Sequence, residues 1–134
     1  MKEKNYNTNV ILQAPPNYYK LTPKQKKIIC NGCGPKKIGG FVPDRLWGIS
    51  IIEACNIHDY MYYMGENLRD KEKADRIFLK NMLKIIKSVN YPWWKMWLFH
   101  CRRKEAWIYY KSVRDFGYGP FFIQVLKRKI RKII

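Results

Sequence analysis

Apolar and polar positions along the chain fall into three helical stretches. Residues 50 to 64 open on Ser50-Ile51-Ile52-Glu53, a capping-box pattern with Ser at the N-cap and Glu three residues on. Ile51, Cys55, His58 and Tyr62 then recur at i, i+4, i+7 and i+11, one face of a helix, and Gly65 is a natural stop. Asn67 or Asp70 can cap a second helix that runs to about Ser88, where Asn90-Tyr91-Pro92 ends it. Its apolar stripe is Ala74, Phe78, Met82 and Ile85, widened by Leu79, Leu83 and Ile86. The short connection between these two helices favours antiparallel neighbours. Pro92 suits the first turn of a third helix from Trp93 to Arg114. Trp97, Cys101, Ala106 or Trp107, and Tyr110 lie near one of its faces, with Lys95, Arg102, Arg103, Lys104 and Lys111 on the other.

The rest of the chain is less periodic. Residues 1–28 read as an irregular, loosely packed arm, interrupted by Pro15-Pro16, Tyr18-Tyr19 and Pro23. Glycine and proline are too dense from Asn31 to Gly40 for helix or strand, and the loop continues through Asp44. The fold class expected is mainly α, with two antiparallel central helices, a Gly-rich loop before the first, and a third, basic helix packed alongside.

Two polar residues break the apolar pattern. His58 shares the inward face of the first helix, and Asp75 shares the stripe of the second with Phe78, Met82 and Ile85. A buried carboxylate needs a partner, because an unpaired buried charge is costly. Antiparallel helices can bring Asp75 to His58, either as a structural ion pair or as a base and its orienter, the carboxylate holding one imidazole nitrogen while the other accepts a proton, with an Asp75–Arg pair on the rim as the further alternative. Gly32, Gly34, Gly39 and Gly40 let carbonyls converge ahead of the first helix, and Asp59 can add a carboxylate. Such oxygens suit a hard cation, Ca²⁺ rather than Zn²⁺; the same glycines also make an ordinary turn.

Cys55-x-x-His58-Asp59-x-x-Tyr62, preceded by the Gly-rich loop with Cys33-Gly34 and followed by Ala74-Asp75-x-x-Phe78, resembles the phospholipase A2 superfamily, in particular its short, disulfide-poor bacterial and parvoviral branches. The resemblance covers about residues 31 to 87. It implies a phospholipase A2-like fold in which His58 activates a water, Asp75 orients His58, and Tyr62 hydrogen-bonds behind the pair. It also implies Ca²⁺ held by Asp59 and carbonyls near Gly32, Gly34, Gly39 and Gly40, a Cys33–Cys55 disulfide, and the sn-2 ester of a glycerophospholipid as substrate. Ala54 stands where secreted members carry another cysteine, so most of their disulfide framework is absent. With it, the chain reads as one domain over 1–134: the arm over 1–28, a phospholipase A2-like core over 29–116, and a basic amphipathic tail over 117–134.

Charge adds a partner. Of 134 residues, 27 are Lys or Arg and 10 are Asp or Glu, a net charge of +17, which draws polyanions. In the tail, Phe122, Val125 or Leu126, Ile130 and Ile133 segregate from Lys127, Lys129, Arg131 and Lys132, a membrane-surface pattern or simply a solvated tail. Trp93, Trp94 and Trp97 at helical spacing are expected in the core, with a membrane interface as the alternative. The expected partner is an anionic phospholipid surface, with no specific nucleic acid and no oligomeric state specified. No apolar run reaches membrane-spanning length and no signal peptide is visible. The default location is therefore cytoplasmic with peripheral membrane association, or release by lysis. Competing readings are a basic nucleic-acid-binding module, an inactive membrane-binding relative, and a small zinc protein using Cys30, Cys33 and two of Cys55, His100 and Cys101.

Overall fold

Five α-helices and one short hairpin make up the regular structure of residues 10–30 and 45–133, which are the residues that the computed structural model describes. The chain is mainly α. A 3₁₀ turn at Pro16–Lys20 leads to α1 (Pro23–Ile29); strands β1 (Arg45–Leu46) and β2 (Ile49–Ser50) follow. Then come α2 (Ile52–Met64), α3 (Leu68–Lys87), a 3₁₀ turn at Trp93–Lys95, α4 (Met96–Phe116) and α5 (Tyr118–Ile133). No helix among the described residues is long and apolar enough to cross a membrane.

The central pair is α2 and α3. Asn67 caps α3 by accepting from the Asp70 amide at 3.1 Å, and Asp70 reaches back to the Glu66 amide at 2.8 Å, so two orphan donors are met. Tyr62 meets Asp75, while His58, one turn earlier in α2, stacks near Phe78, later in α3. The two helices are thus antiparallel. α3 packs on α4 along its other side, and α5 packs back onto α2. Ile57, Phe78, Met82, Ile85, Ile86 and Ala106 fill the core between them.

Several local expectations change. The Ser50 capping box does not form: Ser50 pairs with Arg45 in the hairpin, and α2 starts at Ile52 without a side-chain cap. Glu53 is engaged elsewhere, accepting from Tyr18 Oη at 2.7 Å and Lys26 Nζ at 3.4 Å. The arm is not loosely packed over its described part. Thr22 and Gln25 form a true capping box for α1, and Leu12, Tyr18 and Ile29 are buried in the core. Asn81, fully buried on α3, holds the arm by accepting from the Gln13 amide at 2.8 Å and donating to the Gln13 carbonyl at 2.9 Å.

The third helix is rotated from its expected orientation. Arg102, Ala106, Tyr109 and Val113 are the buried residues of α4, and all five tryptophans of the chain are exposed, Trp93, Trp94 and Trp97 among them. Arg102 is drawn inward by acceptors: its Nε donates to Leu46 O at 3.2 Å, and its other nitrogens to Trp47 O at 2.8 Å and Tyr91 Oη at 3.1 Å. The guanidinium therefore clamps the hairpin onto α4. The hairpin turn puts Trp47 at φ 47° and Gly48 at φ 90°. A two-residue turn of this hand suits right-twisted strands, but an indole side chain there costs about 1–2 kcal/mol.

The tail is a docked helix. α5 follows α4 directly, with Gly119 and Pro120 accommodated in its first turn, and buries Phe121, Val125 and Arg128. Arg128 donates to the Gly65 carbonyl at 3.0 Å and pairs with Glu66 at 2.9 Å. Phe122, Leu126, Ile130 and Ile133 stay exposed. Gly65 does end α2, though at an ordinary φ of −70°. Its need is space: a Cβ there would lie 2.5 Å from the Phe121 ring. Gly65→Ala is expected to lower stability by about 1–3 kcal/mol through overpacking. Thermal unfolding checks this, and Phe121→Leu in the same chain should recover part of the loss.

Candidate functional site

Helical spacing builds the site. α2 sets His58 and Tyr62 one turn apart, and α3 sets Lys71 and Asp75 one turn apart on the facing side. The Asp75 carboxylate, 1% exposed, sits where the four meet. Its Oδ1 lies 2.7 Å from His58 Nε2 and accepts from Tyr62 Oη at 2.7 Å. Its Oδ2 accepts from Lys71 Nζ at 2.7 Å. Lys71 then spends its other two N–H bonds on the Val113 and Arg114 carbonyls, each at 3.1 Å. These are carbonyls of the last turn of α4, which lack helical donors.

Aromatic rings close the site. Tyr62 and Phe78 lie 4.2 and 4.7 Å from the His58 ring, Phe121 of α5 lies edge-on to Tyr62 at 5.2 Å, and the Lys71 ammonium sits 4.3 Å over Tyr118. Burial is the largest single influence on Asp75 and acts to raise its pKa. The bond and charge of His58, then the bonds from Lys71 and Tyr62, outweigh it and hold the carboxyl below its ordinary value. Tyr62 is pushed well up, by burial first and by the Asp75 charge and hydrogen bond next, so its hydroxyl stays a donor. An ionised Asp75 accepts the Nε2–H of a neutral His58, and the ring's lone pair is then on Nδ1. Lys71 balances the buried carboxylate whether or not the imidazole carries a proton.

His58 and Asp75 are thus brought together as the helical spacing allows, and Tyr62 joins Asp75 as the resemblance implies. Asp59 is half-buried on the same helix. Gly32, Gly34, Gly39, Gly40 and Cys33 lie outside the described residues. Cys55 is buried and disulfide-bonded, whereas Cys30 and Cys101 are free thiols. The Cys30 thiol donates to the Asn56 carbonyl at 3.3 Å, so the chain leaves α1 beside the turn of α2 that carries Asp59. Burial, followed by the Asp59 charge, pushes that thiol up to about 12, with Lys26 acting against them. The half-buried Asp59 carboxylate thus lies near the Cys30 end of α1. Of the zinc ligands considered, Cys55 has its sulfur in a disulfide and His100 is exposed; no group of three or more His, Cys, Asp or Glu side chains able to hold a metal occurs among the described residues.

Lys71 is the site residue that sequence reasoning missed. Its signal was position alone, one turn before a carboxylate already assigned to the buried face. Two outcomes follow from its burial. Lys71→Met should cost about 3–5 kcal/mol in chemical denaturation, because it strips one partner from a buried pair and leaves two carbonyls unmet. A carboxyl whose pKa falls on folding adds stability that is present above the ordinary carboxylate pKa and lost as pH drops through the lowered one. The gap in melting temperature between the wild type and Asp75→Asn should therefore narrow below about pH 4, and thermal scans across pH measure it.

Comparison with models of protein families, with curated proteins and with solved structures found no match to the chain, so the site is read from its own geometry.

Proposed function

We propose that the chain is a phospholipase A2-like lipid hydrolase that cleaves the sn-2 ester of glycerophospholipids at a membrane surface. The observation that carries this reading is one carboxylate oxygen, Asp75 Oδ1, within 2.7 Å of both His58 Nε2 and Tyr62 Oη, on side chains supplied by the Cys55-x-x-His58-Asp59-x-x-Tyr62 and Ala74-Asp75 segments. A carboxylate-anchored imidazole is a general base, and no Gly-x-Ser-x-Gly segment offers a serine nucleophile.

In this reading His58 Nδ1 takes a proton from a water as its oxygen attacks the ester carbonyl carbon. The imidazolium is stabilised by Asp75, whose position is fixed by Tyr62 and Lys71. It returns the proton to the glycerol oxygen as the C–O bond breaks, releasing fatty acid and lysophospholipid. Asp59, with carbonyls of the glycine-rich segment, would hold Ca²⁺, which supplies positive charge for the developing oxyanion. Phe78 and the ring of Tyr62 keep bulk water from the back of the imidazole.

The test is fatty-acid release from vesicles containing an anionic phospholipid. The wild type is expected to release fatty acid with Ca²⁺ present and to lose that activity on chelation. His58→Gln should slow release by about 10²–10⁴. Tyr62→Phe keeps the ring but drops one bond to Asp75, and should slow it less than His58→Gln. A wild-type preparation that is folded and loaded with Ca²⁺ yet releases nothing overturns the reading.

A further inference from the structure

Exposed tryptophan is costly in water, and four of the five here gather at the hairpin and the start of α4. Trp93 and Trp94 are 83% and 59% exposed, and Trp97 and Trp47 are 57% and 52% exposed. Trp47 and Trp97 meet edge-on at 6.3 Å, as do Trp93 and Trp94 at 5.9 Å. The first pair joins the hairpin to α4, and the Arg102 clamp holds it there. The backbone strain at Trp47 points the same way. A turn residue at positive φ is most stable as glycine or asparagine, and folding alone gives no reason for an indole that remains in solvent. Where the end of α3 meets the first turns of α4, a notch of about 270 Å³ is lined by Leu83, Lys87, Phe99 and Arg103; nearer the rings, Lys95 is exposed between Trp94 and Trp97.

We propose that this face is a membrane anchor, with the indoles of Trp47, Trp93, Trp94 and Trp97 entering the headgroup region of an anionic bilayer and the exposed Lys95 among them pairing with lipid phosphate. Indoles concentrate at the membrane–water interface because the ring is apolar and its N–H is polar. Basic side chains beside them add attraction to anionic headgroups. A second copy of the chain is disfavoured as the occupant, since bringing two bodies of charge +17 together is repulsive. A nucleic acid would meet the charge and stack on the rings, but it would leave Met96, 39% exposed within the same turn, without a partner. The lipid partner extends the hydrolase reading above, yet the anchor rests on its own residues and stands without catalysis. It is also distinct from the exposed stripe of α5, because Trp97 lies at the far end of α4 from the Gly117 junction.

The test uses the full chain with vesicles of phosphatidylcholine alone or mixed with phosphatidylglycerol, reading co-sedimentation and the blue shift of tryptophan emission. The wild type is expected to bind the anionic vesicles and shift its emission. Trp93→Ala with Trp97→Ala should weaken partition by about tenfold or more, and the same pair changed to Phe by less. Trp47→Gly should also weaken partition while raising the melting temperature, a combination that a structural role for Trp47 does not give. His58→Gln should bind as the wild type does. Partition that is unchanged in all the tryptophan variants overturns the anchor. So does loss of binding only when Leu126 and Ile130 of α5 are changed to Ser, quenching by single-stranded DNA without a vesicle shift, or burial of the tryptophans in a dimer. Tryptophan-dependent binding without fatty-acid release removes the hydrolase reading alone; release from dispersed substrate with tryptophan-independent binding removes the anchor alone.

Discussion

A single carboxylate, withdrawn from water between two helices, organises this molecule. Asp75 accepts from an imidazole and a phenol of α2 and from an ammonium of its own helix. Desolvation of such a group is expensive, so each donor has to be delivered by a specific element at a specific register. The short turn between α2 and α3 fixes one register. The bonds from Lys71 to the end of α4 fix another, and Phe121 of α5 covers the phenol. Four helices are thereby positioned around two oxygens.

The arrangement separates two tasks within one charge cluster. Lys71 neutralises Asp75 and shares an oxygen with no other donor among the described residues, while Tyr62 and His58 share the second oxygen. The imidazole is therefore oriented by a carboxylate that already has its counter-charge. With Nε2 engaged by that carboxylate, the ring keeps Nδ1 turned away from it. The hydrolase reading uses that distinction, and the balanced charge is the reason a base at this depth is compatible with a stable core.

Periodicity made the central elements legible. The spacing of Ile51, Cys55, His58 and Tyr62 and of Asp75, Phe78, Met82 and Ile85 placed the dyad on facing helices, because burial selects one face and the faces have a fixed period. What escaped was long-range. Ser50 read as a cap because its local pattern fits one, yet a hairpin six residues long claimed it. Lys71 drew no notice and Arg102 fell on the basic face, because lysine and arginine are usually solvated, and only the fold reveals the backbone carbonyls that draw them in. The tryptophans read as core by the same habit of composition. Of the cysteines that the resemblance pairs, Cys55 is disulfide-bonded, whereas Cys33 and the glycine-rich residues lie outside the described residues.

The wall that Phe121 builds behind Tyr62 has a consequence for the order in which the molecule matures. Translation lays down the imidazole, the phenol and the carboxylate 46 to 63 residues before that ring. A nascent chain can pair α2 with α3 while the back of the phenol is still wet, and it gains its dry interior only when α5 closes over Gly65. The buried carboxylate and its partners from α2 are therefore brought together early and insulated late, which withholds a low-dielectric environment from any partly made chain.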